Sequence, residues 1–271
     1  MNKNLVSVLI FIHFQLFTQS ANLNYGAENT ALGNTVSTSQ NAFAVFANPS
    51  SVRLSNDSST SLLLNANRYI HTDTYFRMGL GFYKPIKKNG LHLGIHKFGN
   101  SVYNETKCAL GYSFLLNNIS IGLITLFHNY SAEGYRSINL WSFNLGGSVI
   151  LHPKLVWGTY ISNITQSKIH YSPKEYLTQS FATGLLYSLS KEVYIKGEIE
   201  KRKATKPDLK LGLSYSFSPK TTVFVGLSNY FMTISSGLKL ENKKILFSCA
   251  YSYNKYLSSE LILTLGLRFL K

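Results

Sequence analysis

Tyr194, Lys196, Glu198, Glu200 and Arg202 occupy alternate positions of one short stretch, and Asp208 and Lys210 follow a few residues later. Alternate residues of a strand share a face, so the spacing gathers two carboxylates and their cations on one side of a strand and of its hairpin neighbour. Paired carboxylates carry out general acid and base work when they flank a reacting bond. Opposite charges on adjacent strands also simply pair, and the mixture of signs favours that reading for Lys196, Glu198, Glu200, Asp208 and Lys210. His92 and His96 have the i, i+4 spacing of a helical zinc pair. On a strand rising ~3.3 Å per residue they stand about 13 Å apart, too far to share an ion. His71, His128 and His170 could each serve a serine nucleophile, yet the chain has no GxSxG elbow, no HExxH helix and no phosphate-binding glycine loop. The expectation is therefore a non-enzymatic protein with no catalytic residues, no metal site and no cofactor.

The elements that would hold these side chains repeat. A glycine followed three residues later by a large apolar side chain recurs at Gly79, Gly111, Gly146, Gly184, Gly212, Gly237 and Gly266, at spacings of 25 to 38 residues. Every copy except the last gives way to a brief turn and a second alternating run, so the unit reads as a two-stranded hairpin and the chain as fourteen strands. Parity sorts each copy. Leu80, Phe82, Tyr112, Phe114, Leu185, Tyr187, Leu213, Tyr215, Leu267 and Phe269 share one face; the glycines share the other with Ser113, Ser148, Ser214, Lys239 and Arg268. So many antiparallel strands either stack as a sandwich or close into a barrel, and only closure removes the unpaired edges. The predicted fold class is all-β, a fourteen-stranded antiparallel transmembrane β-barrel.

Three features select a membrane barrel over a soluble one. Lys3, the uncharged run 5–17 and the small residues at 18–21 form the layout of an export signal, and no later run reaches the ~18 apolar residues of a spanning helix. Connections inside the glycine units, such as 116–118 and 152–154, are brief, whereas those between units, 131–138, 164–177 and 202–207, are longer, as in bacterial outer-membrane barrels with short periplasmic turns. Phe269 ends the last strand with an aromatic ring. The 18 tyrosines and 17 phenylalanines can furnish interfacial girdles. The net charge of +15 lies largely at turns, in Lys84, Lys87, Lys88, Lys154, Lys191, Lys220, Lys243 and Lys244, which points to rim residues at a lipid surface and away from nucleic acid. Cys108 and Cys249 fall on the apolar face of the fourth and thirteenth strands, too far apart to bridge. The chain divides into an export signal at 1–21, an N-terminal segment at 22–58 and the barrel at 59–271.

That N-terminal segment reads NYGAENTALGNTVSTSQNAFAVFANPSSVR over 24–53, a glycine-punctuated stretch with an apolar cluster at 42–47 and a helix-stopping Asn48-Pro49. Fourteen strands enclose more space than glycines and serines fill, and the cluster needs burial, so the segment is expected inside the barrel as a plug. Gly26 and Ala27, the Ala-Leu-Gly ending at Gly33, and the aromatic-containing stretch closing in Asn48 and Pro49 resemble the N-terminal signature of the PorV and PorQ family of outer-membrane barrels, related to FadL-type hydrocarbon transporters. Residues 98–112 are also similar to that family. Ser50 and Ser51 stand where a small Ala-Gly pair is usual, and Gln40-Asn41 where acidic residues are common. The resemblance implies a plugged fourteen-stranded barrel of the bacterial outer membrane, with Gly26, Ala27, Gly33, Phe43, Phe46, Asn48 and Pro49 as plug residues. It implies an accessory role in type IX-like protein secretion or cell-surface assembly; the alternative is a passive or ligand-gated channel for small hydrophobic solutes. The partners implied are outer-membrane lipid, secretion-system or surface proteins, and a small hydrophobic ligand.

Overall fold

Alternation with period two puts every second side chain on the same side of a strand, and in this chain that alternation closes a sheet upon itself. The computed structural model describes residues 26–54, 59–70, 75–171, 174–203, 205–229, 232–255 and 259–269; the export-signal expectation and His71 lie outside them. The first strands are β1 (Thr60–Tyr69), β2 (Phe76–Ile86), β3 (Asn89–Gly99), β4 (Tyr103–Leu116), β5 (Ile119–Ala132), β6 (Ile138–His152) and β7 (Leu155–Ser162). After a small hairpin, β8 (Lys168–Tyr171) and β9 (Lys174–Tyr176), come β10 (Ser180–Ser188), β11 (Val193–Arg202), β12 (Asp208–Ser218), β13 (Thr221–Ser228), β14 (Thr233–Glu241), β15 (Ile245–Asn254) and β16 (Glu260–Phe269).

Fourteen of these strands form one closed antiparallel barrel in chain order, with β7 beside β10 and β1 beside β16; β8 and β9 pair only with each other. The seam runs from Thr60 opposite Phe269 to Tyr69 opposite Glu260, so the first and last strands satisfy each other's backbone along their whole length. The extra hairpin lies in the connection expected as a plain loop. Its strands are four and three residues long, too short to announce themselves by periodicity.

The face assignment follows the predicted parity. Leu110, Tyr112 and Phe114 on β4, Ile119, Ile121 and Leu123 on β5, and Leu209, Leu211, Leu213 and Tyr215 on β12 are all exposed outward. An apolar belt of this extent far exceeds what a water-soluble surface carries; a bilayer is the solvent that suits it. Among the described residues no helix is long and apolar enough to cross a membrane, and the crossing elements are the strands. Cys108 and Cys249 are free thiols on this outward face. Two-residue turns at 87–88 and 117–118 open with Lys87 and Asn117 at φ of 54° and 52°, the left-handed start that tight hairpins require.

Residues 26–54 lie within the barrel against its inner wall. They form helix α1 (Ala27–Ala31), a 3-10 turn (Ala42–Phe46) and helix α2 (Ser50–Arg53), with nearly every side chain buried. The all-β prediction thus holds for the wall, and the plug adds three short helical pieces.

Candidate functional site

The lumen and the segment seated in it form the candidate site. Asn34, Val36 and Ser37 lie against β11 and β12, where the predicted charged residues do something more specific than pair. Glu198 Oε2 accepts hydrogen bonds from the backbone N–H groups of Val36 at 2.7 Å and Ser37 at 2.6 Å, while its Oε1 meets Lys210 Nζ at 2.8 Å. Lys210 also reaches Glu200 Oε2 at 2.7 Å and donates to the Asn34 carbonyl at 3.1 Å. Glu200 is held in turn by a two-pronged Arg202 guanidinium, both contacts at 3.0 Å. Register explains the arrangement: Glu198 sits opposite Lys210, and Glu200 one diagonal step away. Two anions and two cations balance, and the spare hydrogen-bonding capacity of one anion and one cation is spent on the plug backbone. Buried charge without such partners would be untenable.

Two further members of the predicted cluster lie around this quartet. Asp208, opposite Glu200 in register, accepts the Ser228 Oγ hydrogen in a bond shared between its two oxygens, at 2.8 and 3.0 Å, and attracts the Arg202 guanidinium. Lys196 faces Gly212 and Leu186 across the ladders. Neither is a counter-charge; its ammonium lies 5.8 Å from the Tyr194 ring centroid and is drawn electrostatically by Glu28 and Glu198.

The other plug residues dock on small side chains of the wall. Gly26, at φ +91°, precedes α1, whose first N–H, that of Ala27, donates to Thr264 Oγ1 at 2.9 Å. Ala31 and Leu32 pack with Phe224, Ala250 and Ile262. Gly33 turns at φ +68° with its backbone directly against Gly226, where a Cβ on either residue has no room. Phe43 lies against Gly79 and Gly81 of β2 and Gly26 of the plug, and packs with Tyr83, Leu63 and Leu246. Phe46 bridges that cluster to Val45, Ala109, Ile124 and Leu126, and sits edge-on to His96 at 6.3 Å. Asn48 Nδ2 donates to the Ser37 carbonyl at 2.6 Å and to Ser148 Oγ at 3.1 Å, and Pro49 packs on Gly122. Ser50 and Ser51 supply hydroxyls to this corner. Ser50 Oγ meets Ser148 Oγ at 2.8 Å and donates to Asn48 Oδ1 at 2.6 Å, and Ser51 bonds the Ser39 carbonyl. Asn41 caps the 3-10 turn through Phe43 N–H at 3.1 Å and ties it to Asn29 at 3.1 Å.

A second luminal charged cluster, absent from the sequence reading, lies toward the long-loop rim. Arg77 donates to Tyr69 Oη at 2.6 Å, lies 3.6 Å from Glu260 and stacks 5.4 Å from the Phe98 centroid; Glu105 accepts from Tyr103 at 2.8 Å with Lys107 at 3.9 Å. These residues come from β1, β2, β3, β4 and β16, so no local run of charge marks them. Alternation with Gly79 on β2 and with Gly111 on β4 was the available signal.

Two of the buried histidines make serine contacts: His92 Nε2 to Ser113 at 2.9 Å and His128 Nε2 to Ser142 at 2.8 Å. The Nδ1 atom of each has no hydrogen-bond partner, so no carboxylate orients either ring as a nucleophilic triad requires. Among the described residues no cluster of three metal-binding side chains exists. Among the described luminal charges, Glu198 and Lys210 hold the internal segment, and Glu200, Arg77 and Glu105 engage neighbouring wall residues.

No family model and no curated protein matches the chain. Solved structures do. The chain is similar to the CymD monoaromatic hydrocarbon channel at 13% identity, over 92% of this chain and 98% of that one, with a TM-score of 0.69. It is similar to the Ralstonia pickettii toluene transporter TbuX at 11% identity, over 92% and 100% of the two chains with a TM-score of 0.68, and to the Pseudomonas putida toluene transporter TodX at 12% identity, over 90% and 98% with a TM-score of 0.68. At such identities the likeness is one of fold, and the chain has the fold of the outer-membrane hydrocarbon-channel barrels along nearly its whole described length.

Proposed function

We propose that the protein is a plugged outer-membrane channel that passes small hydrophobic solutes and carries out no covalent chemistry. The observation that carries this reading is the match, over nine-tenths or more of both chains, to barrels named as toluene transporters and monoaromatic hydrocarbon channels. The internal segment supports it: a lumen occupied by the chain's own residues excludes hydrophilic solutes, as an open porin does not. The expectation of a secretion accessory finds no comparable support. Of the connections on the long-loop rim, 163–179 carries the small hairpin and 133–137 exceeds the two-residue turns of the other rim, while 100–102 is brief; loops of this size leave little surface for protein cargo.

The test is uptake in a bacterial host with a lipopolysaccharide outer leaflet and no hydrocarbon channel of its own. Expression should speed uptake of micromolar radiolabelled toluene and leave glycerol uptake at the level of the empty host. Equal toluene uptake with and without the protein would overturn the proposal.

A further inference from the structure

The short turns carry a pattern that neither the plug nor solute passage uses. At 87–88, 153–154, 189–192, 219–220 and 242–244, five of the six turns on that rim, the chain places Lys87, Lys88, Lys154, Lys191, Lys220, Lys243 and Lys244, all exposed; the only carboxylate in these turns is Glu192, which accepts from Ser190 Oγ at 2.7 Å. The exception is Asn117-Asn118 between β4 and β5. The turns join β2 to β3, β6 to β7, β10 to β11, β12 to β13 and β14 to β15, so positive charge surrounds the rim of a barrel about 30 Å across, from fourteen strands ~4.8 Å apart and tilted ~40°.

Each basic turn is also paired with an exposed, outward apolar side chain: Ile86 beside Lys87, Leu151 near Lys154, Leu189 near Lys191, Phe217 near Lys220 and Ile245 beside Lys244. Phe217 and Ile245 are 64% and 58% exposed. An amphiphile with an apolar chain and an anionic head matches this repeated couple. A soluble acidic protein would match the lysines and leave the apolar residues unused. We propose that the short-turn rim is a binding ring for anionic phospholipid, with the lysine ammonium groups on the headgroup phosphates and the adjacent apolar side chains on the acyl chains.

The two tryptophans test this from within. Trp157, outward on β7 two residues inside that strand's start, lies beside the Lys154 turn, which touches the Lys191 turn through Ser188 N–H on the Lys154 carbonyl at 2.8 Å. Trp141, outward on β6, lies near the opposite rim. In vesicles of phosphatidylcholine doped with acyl-brominated phosphatidylglycerol or acyl-brominated phosphatidylcholine, the Trp141→Phe variant reports through Trp157 alone. The expected result is about fivefold tighter association of the anionic lipid, the effect of one lysine near a charged surface. The preference should fall toward unity in 1 M salt, where the Debye length shrinks to about 3 Å. Replacing the seven lysines by glutamine should abolish it, and replacing them by arginine should keep it. The Trp157→Phe variant, read through Trp141, should not respond to the glutamine set. Equal quenching by both brominated lipids would overturn the proposal and leave the lysines to a soluble acidic partner. A preference that survives 1 M salt or the glutamine set would overturn it too, and the salt arm decides even if the glutamine protein fails to fold.

Discussion

Replacing Glu198 with alanine should release the plug without unmaking the barrel. The carboxylate holds the Val36 and Ser37 N–H groups and one side of Lys210, so its loss orphans two backbone donors and leaves Lys210 to share Glu200 with Arg202. Breaking a buried pair by removing one partner costs about 3–5 kcal/mol. The barrel ladder is untouched, because the strands pair through their backbones, and nearly all of that cost falls on the docked state of the plug. At 1.4 kcal/mol per factor of ten, the released population should rise between about a hundred and a few thousand fold. Planar-bilayer recording is the assay: wild type should conduct ions poorly, Glu198→Ala should show frequent open dwells, and deletion of 22–58 should conduct continuously. A double variant, Glu198→Gln with Lys210→Met, restores charge balance around Glu200 and Arg202 and retains one acceptor oxygen for the plug, so it should conduct less than Glu198→Ala. A Glu198→Ala protein that runs as a folded, heat-modifiable barrel and conducts no more than wild type would refute the latch.

Phe43→Ala removes a ring seated on Gly79 and Gly81 and should cost plug docking about 3–5 kcal/mol, read as faster amide exchange across 41–47; unchanged protection would show that the apolar contacts do not hold the segment. Leu211→Arg places a charge on the lipid face of β12 and should lower folding yield into bilayers by the equivalent of roughly 2–4 kcal/mol, while Leu211→Phe folds normally; equal yields would mean that this face does not meet lipid. With Cys108 and Cys249 replaced by alanine, a cysteine at Tyr135 in the β5–β6 connection should react with an impermeant maleimide in whole cells and one at Lys220 should not. The reverse labelling would invert the assigned topology.

The wall was legible in the sequence because a bilayer imposes a strict rule on it. Lipid tolerates few polar atoms at depth, so Leu209, Leu211, Leu213 and Tyr215 must alternate with Lys210, Gly212 and Ser214, and parity alone then names the face of each. The inward position of residues 26–54 was legible for a related reason. Wall glycines such as Gly81, Gly146 and Gly212 allow close approach of the internal segment, through the Ala42 carbonyl, the Asn48 side chain and Leu32, and residues 42–47 are apolar with no strand of their own to join. What parity does not reveal is who meets whom across the lumen. That Glu198 would bond the amides of Val36 and Ser37, 162 and 161 positions away, depends on where a helical segment without sheet register comes to rest. The same ignorance left the separate surroundings of Lys196 and Asp208 within the luminal charged cluster unread. Their parity was right, but a luminal charge takes its partner from the strand opposite in register and from its height along the barrel, and register is fixed by turns such as 189–192 whose geometry the sequence only suggests. Arg77 and Glu260 show the limit most clearly: 183 residues apart in the chain, they meet at 3.6 Å because β1, the strand between them, also forms the seam that closes the barrel. Their encounter is a product of closure, a property of the whole sheet that no local window of sequence contains.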